Sequence, residues 1–160
     1  MATAQIGTMA PTFTVSNQYD EMVSLESFRG CSNVLLYFYP KASTPGCTVQ
    51  ACGLRDAALA LEKFDVVVLG MSPDPAPKLL RFTEKHELNF NLLSDPEHRV
   101  ADEYGVWGQK KMAGHEYMGL IRTTFVIGKD GRLKDVLNKC QTKKHAEKVL
   151  ASLESLALSR

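Results

Sequence analysis

The sequence has no apolar run approaching the roughly 20 residues that a membrane-spanning helix needs. It has no real excess of either charge: nineteen basic residues face eighteen acidic ones, a formal net charge of +1. That balance argues against a nucleic-acid or anionic-membrane partner, since either selects a basic patch. The one lysine-rich stretch, Lys139–Lys148, is interrupted by Cys140, Gln141, His145 and Glu147 and reads as a solvated helix start. The opening Met-Ala-Thr-Ala-Gln-Ile-Gly lacks the basic flank and apolar core of a secretory signal, so a cytoplasmic protein is expected. Thiols are mostly reduced in that compartment, which argues against a permanent disulfide framework. No C-x-x-C pair occurs among Cys31, Cys47, Cys52 and Cys140, and no zinc site is expected from them. Reactive or merely buried cysteines remain.

What is present suits one α/β domain spanning residues 1–160, with no repeat, linker or low-complexity tract. Phe13–Val15 and Met22–Ser24 flank the polar turn Asn17–Asp20 and predict a short N-terminal hairpin. Leu25–Arg29 reads as a helical turn ended by Gly30. The unbroken run Val34-Leu-Leu-Tyr-Phe-Tyr39 suits a strand buried on both faces, stopped by Pro40. From Thr48 to Phe64, Ala51, Leu54, Ala58 and Leu61 recur at helical spacing. Val66–Met71 is a second buried strand. Pro73, Pro75 and Pro77 lead into a helix through Glu87 with Leu79, Leu80 and Phe82 inward. Phe90–Leu93 is a short strand, and His98–Tyr104 a short helix closed by Gly105. Arg122–Ile127 and Leu133–Leu137 flank Gly128-Lys-Asp-Gly131, an Asp-Gly hairpin signal. His145–Leu156 is a closing amphipathic helix. Alternating strands and helices followed by an antiparallel pair predict a mixed central sheet with helices on both faces, of which a thioredoxin-like fold is one form.

The informative stretch is Tyr39-Pro-Lys-Ala-Ser-Thr-Pro-Gly-Cys-Thr-Val-Gln-Ala-Cys52, where a buried strand hands over to a helix. Open α/β sheets place their sites at that end of a strand. Thr44 is a natural N-cap and Pro45 a natural first helical residue, which puts Cys47 at about the third helical position. There the sulfur meets the positive end of the helix dipole and backbone N–H groups with no helical partner. Both favour the thiolate, which is the nucleophilic form of cysteine. Cys52, five positions on, is turned by about 140° and raised by about 7.5 Å, nearly 9 Å away in an intact helix. A disulfide needs Cα atoms within about 7 Å, so these two could bond only if the first helical turns unwound. Gly53, a weak helix former, would ease that.

With those residues in view, the chain resembles the peroxiredoxins of the bacterioferritin-comigratory-protein (peroxiredoxin Q) subfamily. The resemblance runs through Phe38-Tyr-Pro-Lys41, Thr44-Pro-Gly-Cys-Thr48, Ala51-Cys-Gly-Leu-Arg-Asp56 and the Ser72 and Asp74 region. It continues in Leu92-Leu-Ser-Asp95, Tyr104-Gly-Val-Trp-Gly108 and Arg122-Thr-Thr-Phe125, covering roughly residues 5 to 155. It implies a thioredoxin-like fold and a thiol-dependent peroxidase acting on hydrogen peroxide and organic hydroperoxides. The subfamily motif falls on Pro40, Thr44 and Cys47, with its distant arginine at Arg122. Cys47 would attack peroxide, and Arg122 would stabilise the thiolate and the charge on the leaving oxygen. Thr44 would accept a hydrogen bond from the peroxide and donate one toward the sulfur. The Gly46 and Cys47 N–H groups would hold peroxide oxygens, and Pro40 would shield the sulfur from water. No metal or organic cofactor is called for.

The same resemblance implies that a Cys47 sulfenic acid condenses with Cys52 and that thioredoxin reduces the resulting disulfide. It also implies a monomer. Cys140, or an external thiol, is the alternative resolver. Cys31 and Cys140 otherwise read as structural, and Trp107 as a core residue. His115, Glu116 and Tyr117 fall in an expected loop that could touch substrate. A general dithiol oxidoreductase would want a cysteine where Thr44 stands. A non-enzymatic holdase or redox-sensing protein would keep its function in Cys47→Ser.

Overall fold

The apolar run at Val34–Tyr39 forms the centre of the molecule. Strand β3 (Asn33–Phe38) is buried at every position, as a strand covered on both faces must be. The computed structural model describes residues 3–138 and 141–156, so Lys139 and Cys140 lie outside the described residues. Parallel strands β4 (Val66–Ser72) and β5 (Asn91–Ser94) extend the sheet on one side of β3. Antiparallel strands β8 (Thr123–Ile127) and β9 (Leu133–Asn138) extend it on the other, giving the order β5-β4-β3-β8-β9.

Alternation along β3 divides the core in two. Leu35 and Tyr37, with Tyr39 beyond the strand, face helices α1 (Pro45–Asp56), α2 (Ala58–Glu62), α3 (Ala76–His86) and α5 (His145–Ser155). Val34, Leu36 and Phe38 face α4 (Arg99–Glu103) and the N-terminal segment. There Phe38, Tyr104 and Phe125 meet with ring centroids 5.0 to 5.9 Å apart. Such pairs add about 0.5–1.5 kcal/mol each beyond their buried area. The mixed sheet with helices on both faces is the thioredoxin-like arrangement expected from the pattern.

The N-terminal hairpin forms as β1 (Thr14–Ser16) and β2 (Met22–Ser24), but its turn is not wholly solvated. Asn17 and Gln18 are buried. The Gln18 amide donates to Thr83 Oγ1 and to the Phe90 carbonyl, and its oxygen accepts from the Leu92 N–H, tying the turn to β5. The helix read from Thr48 to Phe64 starts earlier and is broken at Ala57, whose ψ of 6° leaves the helical range. That bend lets the short α2 carry Leu61 into the core. Leu80 is only half-buried; Leu79, Phe82 and Thr83 form the inward face of α3.

The larger departure from expectation is a hairpin of β6 (Trp107–Met112) and β7 (His115–Leu120). His115, Glu116 and Tyr117 are therefore exposed strand residues rather than loop residues. The turn places Ala113 and Gly114 both at positive φ (50° and 82°), and alanine is not a residue that signals such a turn. Trp107 is half-buried against the core and stacks on His98 at a centroid distance of 3.9 Å.

Candidate active site

The site is built where β3 ends. Pro40, half-buried, opens a loop that one buried acid holds in place. Asp74 Oδ2 accepts hydrogen bonds from the Ala42 N–H (2.7 Å) and the Ser72 hydroxyl (2.9 Å), and the Asp74 carbonyl accepts from the Ser94 hydroxyl (2.7 Å). The ends of β4 and β5 thereby fix the backbone that leads into α1. Ser43 takes a positive φ of 66° in that turn.

Thr44 stands at the N-cap position with an extended backbone, and Pro45 is the first helical residue. The hydroxyl does not cap the helix, however; it donates to the Lys41 carbonyl at 2.8 Å. It therefore does not point its proton at the sulfur, but its lone pairs can still accept a hydrogen bond from a ligand. With no side-chain cap, the first N–H groups of α1, those of Gly46 and Cys47, have no helical acceptor.

Cys47 is 1% exposed. Arg122, immediately before β8, brings its Nη2 to 3.3 Å from Cys47 Sγ, joining residues far apart in sequence. A permanent cation at that distance favours negative charge on the sulfur. Its Nη1 donates a hydrogen bond to Gln50 Oε1. Gln50 is one helical turn after Cys47 and itself buried, so a single face of α1 presents both the sulfur and the group that aims the guanidinium. Gln50 was not singled out from sequence; its spacing of three from Cys47 was the available signal. Gly46 lies under the same guanidinium, with Arg122 Nη2 3.5 Å from where a Cβ would sit.

The surroundings are mostly neutral. Burial pushes the phenols of Tyr37 and Tyr39 upward. The buried His145 on α5 is pushed down to about 4, first by burial and then by Arg122. Its Nε2 shares a 2.7 Å hydrogen bond with Thr124 Oγ1. Cys52 is half-buried on the same helix as Cys47, and both are unbonded thiols. Cys31, expected to be structural, is exposed in the turn before β3. Among the described residues, no helix is long and apolar enough to cross a membrane.

A thioredoxin-like sheet that ends in a buried cysteine beneath an arginine fits the class of cysteine-based redox proteins. Comparison with known proteins makes this specific. A profile of the AhpC/TSA family matches residues 6–136. Peroxiredoxin Bcp of Escherichia coli K12 is 49% identical over 151 residues, spanning 94% of this chain and 96% of its own length. Peroxiredoxin Bcp of Bacillus subtilis is 42% identical over 155 residues, 97% of this chain and 98% of its own. Among solved structures, the peroxidoxin BcpB of Mycobacterium tuberculosis superposes with a TM-score of 0.83 at 34% identity, covering 94% of this chain and 96% of its own. The Xanthomonas campestris bacterioferritin comigratory protein, described with an alkyl peroxide reduction activity, gives 0.85 at 28% identity over 91% and 92%. The chain belongs to the AhpC/TSA family, as a peroxiredoxin of the Bcp/peroxiredoxin Q type and thus a thiol peroxidase.

Proposed function

We propose that Cys47 is the peroxidatic residue and Cys52 its resolver, in a cycle that reduces hydrogen peroxide and organic hydroperoxides at the expense of thioredoxin. The Cys47 thiolate attacks one peroxide oxygen; the O–O bond breaks, and the departing oxygen leaves as water or an alcohol after taking up a proton. The sulfur keeps the other oxygen as sulfenic acid. The Cys52 thiol then displaces that oxygen as water, forming a disulfide, which an external dithiol reduces by exchange through a mixed disulfide.

The observation that carries this reading is the Arg122–Cys47 contact of 3.3 Å, with the other terminal nitrogen of the guanidinium held by Gln50. A guanidinium fixed in advance stabilises both the attacking sulfur and the charge that develops on the leaving oxygen, with no reorganisation during reaction. Thr44, its proton committed to Lys41, accepts the hydrogen bond of the peroxide O–H. The Gly46 and Cys47 N–H groups hold the oxygens, and Pro40 limits access of water to the sulfur. These groups supply positioning and electrostatics, so the reading calls on no metal or organic cofactor.

Cys52 as resolver is supported by its place on α1 and by the weak helix former beside it, Gly53. The alternative resolver Cys140 lies outside the described residues. The reading includes a single-domain protein that acts as a cytoplasmic monomer. Its test is peroxide consumption coupled to thioredoxin and its reductase, comparing the parent with Cys47→Ser and Cys52→Ser. The expected result is no turnover in Cys47→Ser and a single turnover in Cys52→Ser. Undiminished turnover in Cys47→Ser overturns the assignment.

A further inference from the structure

Gly46 has a second neighbour besides Arg122, and it comes from the other end of the chain. A single tight turn of helix, Thr142–Lys144, leads into α5 and packs against α1. The next residue fixes its place. His145 is buried and shares a 2.7 Å hydrogen bond with Thr124, two residues after Arg122. One short stretch of chain therefore carries the guanidinium and anchors the turn that bears Thr142.

A carbon set at the Cβ position of Gly46 would lie 3.5 Å from Arg122 Nη2 and 3.7 Å from the Thr142 Cγ2 methyl, ordinary contact distance to both. Chain neighbours and the helix itself aside, no other atom of the described residues comes within 4 Å of that point. Gly46 and Thr142 are both half-buried, so this carbon-sized space is partly open to solvent. The φ of Gly46 is not positive, so the backbone alone does not call for glycine there. A glycine in a helix is a weak choice unless the missing side chain leaves room for something.

The chemistry of the reaction indicates what enters that room. When a thiolate takes the terminal oxygen of R–O–O–H, the O–O bond breaks and the R–O oxygen departs with the electron pair, then takes a proton to become ROH. The sulfur is left as sulfenic acid. Arg122, 3.3 Å from the sulfur, is placed to meet the departing oxygen. The first carbon of R is one bond from that oxygen, beside the guanidinium and over Gly46. In hydrogen peroxide the same position holds only a hydrogen.

We propose that Thr142 is a specificity-determining residue, whose methyl group and the Cα face of Gly46 receive the organic substituent of an alkyl hydroperoxide. This rests on the reading of Cys47 as the peroxidatic residue and adds the part of the pocket that tells an alkyl hydroperoxide from hydrogen peroxide. Thr142 touches the substituent and takes no part in bond breaking.

The test measures the rate constants for oxidation of the reduced full chain by hydrogen peroxide and by cumene hydroperoxide. Thr142→Ser, which removes the methyl, is expected to slow the cumene hydroperoxide reaction about three- to tenfold, less than loss of a fully enclosed contact would cost. Its hydrogen peroxide rate stays within about twofold of the parent. Thr142→Val keeps the methyl and holds both rates; the hydroxyl it loses makes no hydrogen bond among the described residues. Gly46→Ala fills the space without a clash and lowers the ratio of the cumene hydroperoxide rate to the hydrogen peroxide rate by about tenfold. A parent ratio in either Thr142→Ser or Gly46→Ala overturns the proposal. An equal fall for both peroxides in Thr142→Ser also overturns it, since that marks a structural effect. These outcomes leave hydrogen peroxide reduction dependent on Cys47, whereas failure of the peroxidase reading leaves Cys47→Ser as fast as the parent with both peroxides.

Discussion

At the scale of single residues, the site is an arginine aimed at a sulfur by a glutamine, over backbone donors that the helix itself cannot satisfy. Each part has a distinct cost of removal. Arg122→Met leaves Cys47 buried without its cation, and kcat/KM for peroxide is expected to fall about 10²- to 10³-fold. Arg122→Lys restores little, because an ammonium cannot hold the sulfur and Gln50 oxygen with one rigid fork. Gln50→Ala keeps both reacting groups but frees the guanidinium, and a loss of about tenfold is expected from misplacement alone. Stopped-flow measurement of peroxide reduction by the reduced variants checks all three. Equal rates for Gln50→Ala and the parent would remove Gln50 from the site.

At the scale of elements, the proposed cycle sets α1 two demands. Intact, it holds Cys47 under Arg122; for Cys47 to reach Cys52 its first turns must open, because about 9 Å separates the Cα atoms of such a pair in a helix. In that cycle Gly53, a weak helix former, would ease the opening. A Cβ there would make ordinary contact with Ala146 Cβ at 3.7 Å, so Gly53→Ala fits the folded form. It should stabilise the helix by about 1 kcal/mol and slow disulfide formation about fivefold. Quenched mass analysis after a peroxide pulse reads this as longer-lived Cys47 sulfenic acid. The strand before α1 and its Thr44-Pro-Gly-Cys47 start were legible in sequence because each rests on local chemistry: an apolar run for burial on both faces, and a fixed proline φ at the first helical position. The roles of Gln50 as the partner of the Arg122 guanidinium and of Asp74 as a tether for Ala42 were not, because they arise only when distant segments come together. The β6–β7 hairpin carries no local turn signal at its first turn position, where Ala113 stands in place of a glycine or asparagine.

At the scale of the whole molecule, the buried His145 ties α5 to the sheet through its hydrogen bond with Thr124. His145 accepts no charge easily: burial and Arg122 push it down to about 4, below its ordinary 6.5. Between those values the unfolded chain binds the proton that the folded chain refuses, so stability rises with pH there. Stability should therefore be full above about pH 6.5, decline by up to about 3 kcal/mol as pH falls to about 4, and then level off for this group. Thermal unfolding across that range, compared with His145→Gln, isolates the effect. A parent slope identical to that of the variant would show that His145 does not carry it.

The central claim is that Cys47 takes the peroxide oxygen and passes the oxidation to Cys52. Peptide mapping by mass spectrometry, on the reduced protein after one equivalent of hydrogen peroxide, tests it most directly. The account predicts a loss of two hydrogens with a Cys47–Cys52 link. Cys47 left reduced while peroxide persists would contradict it.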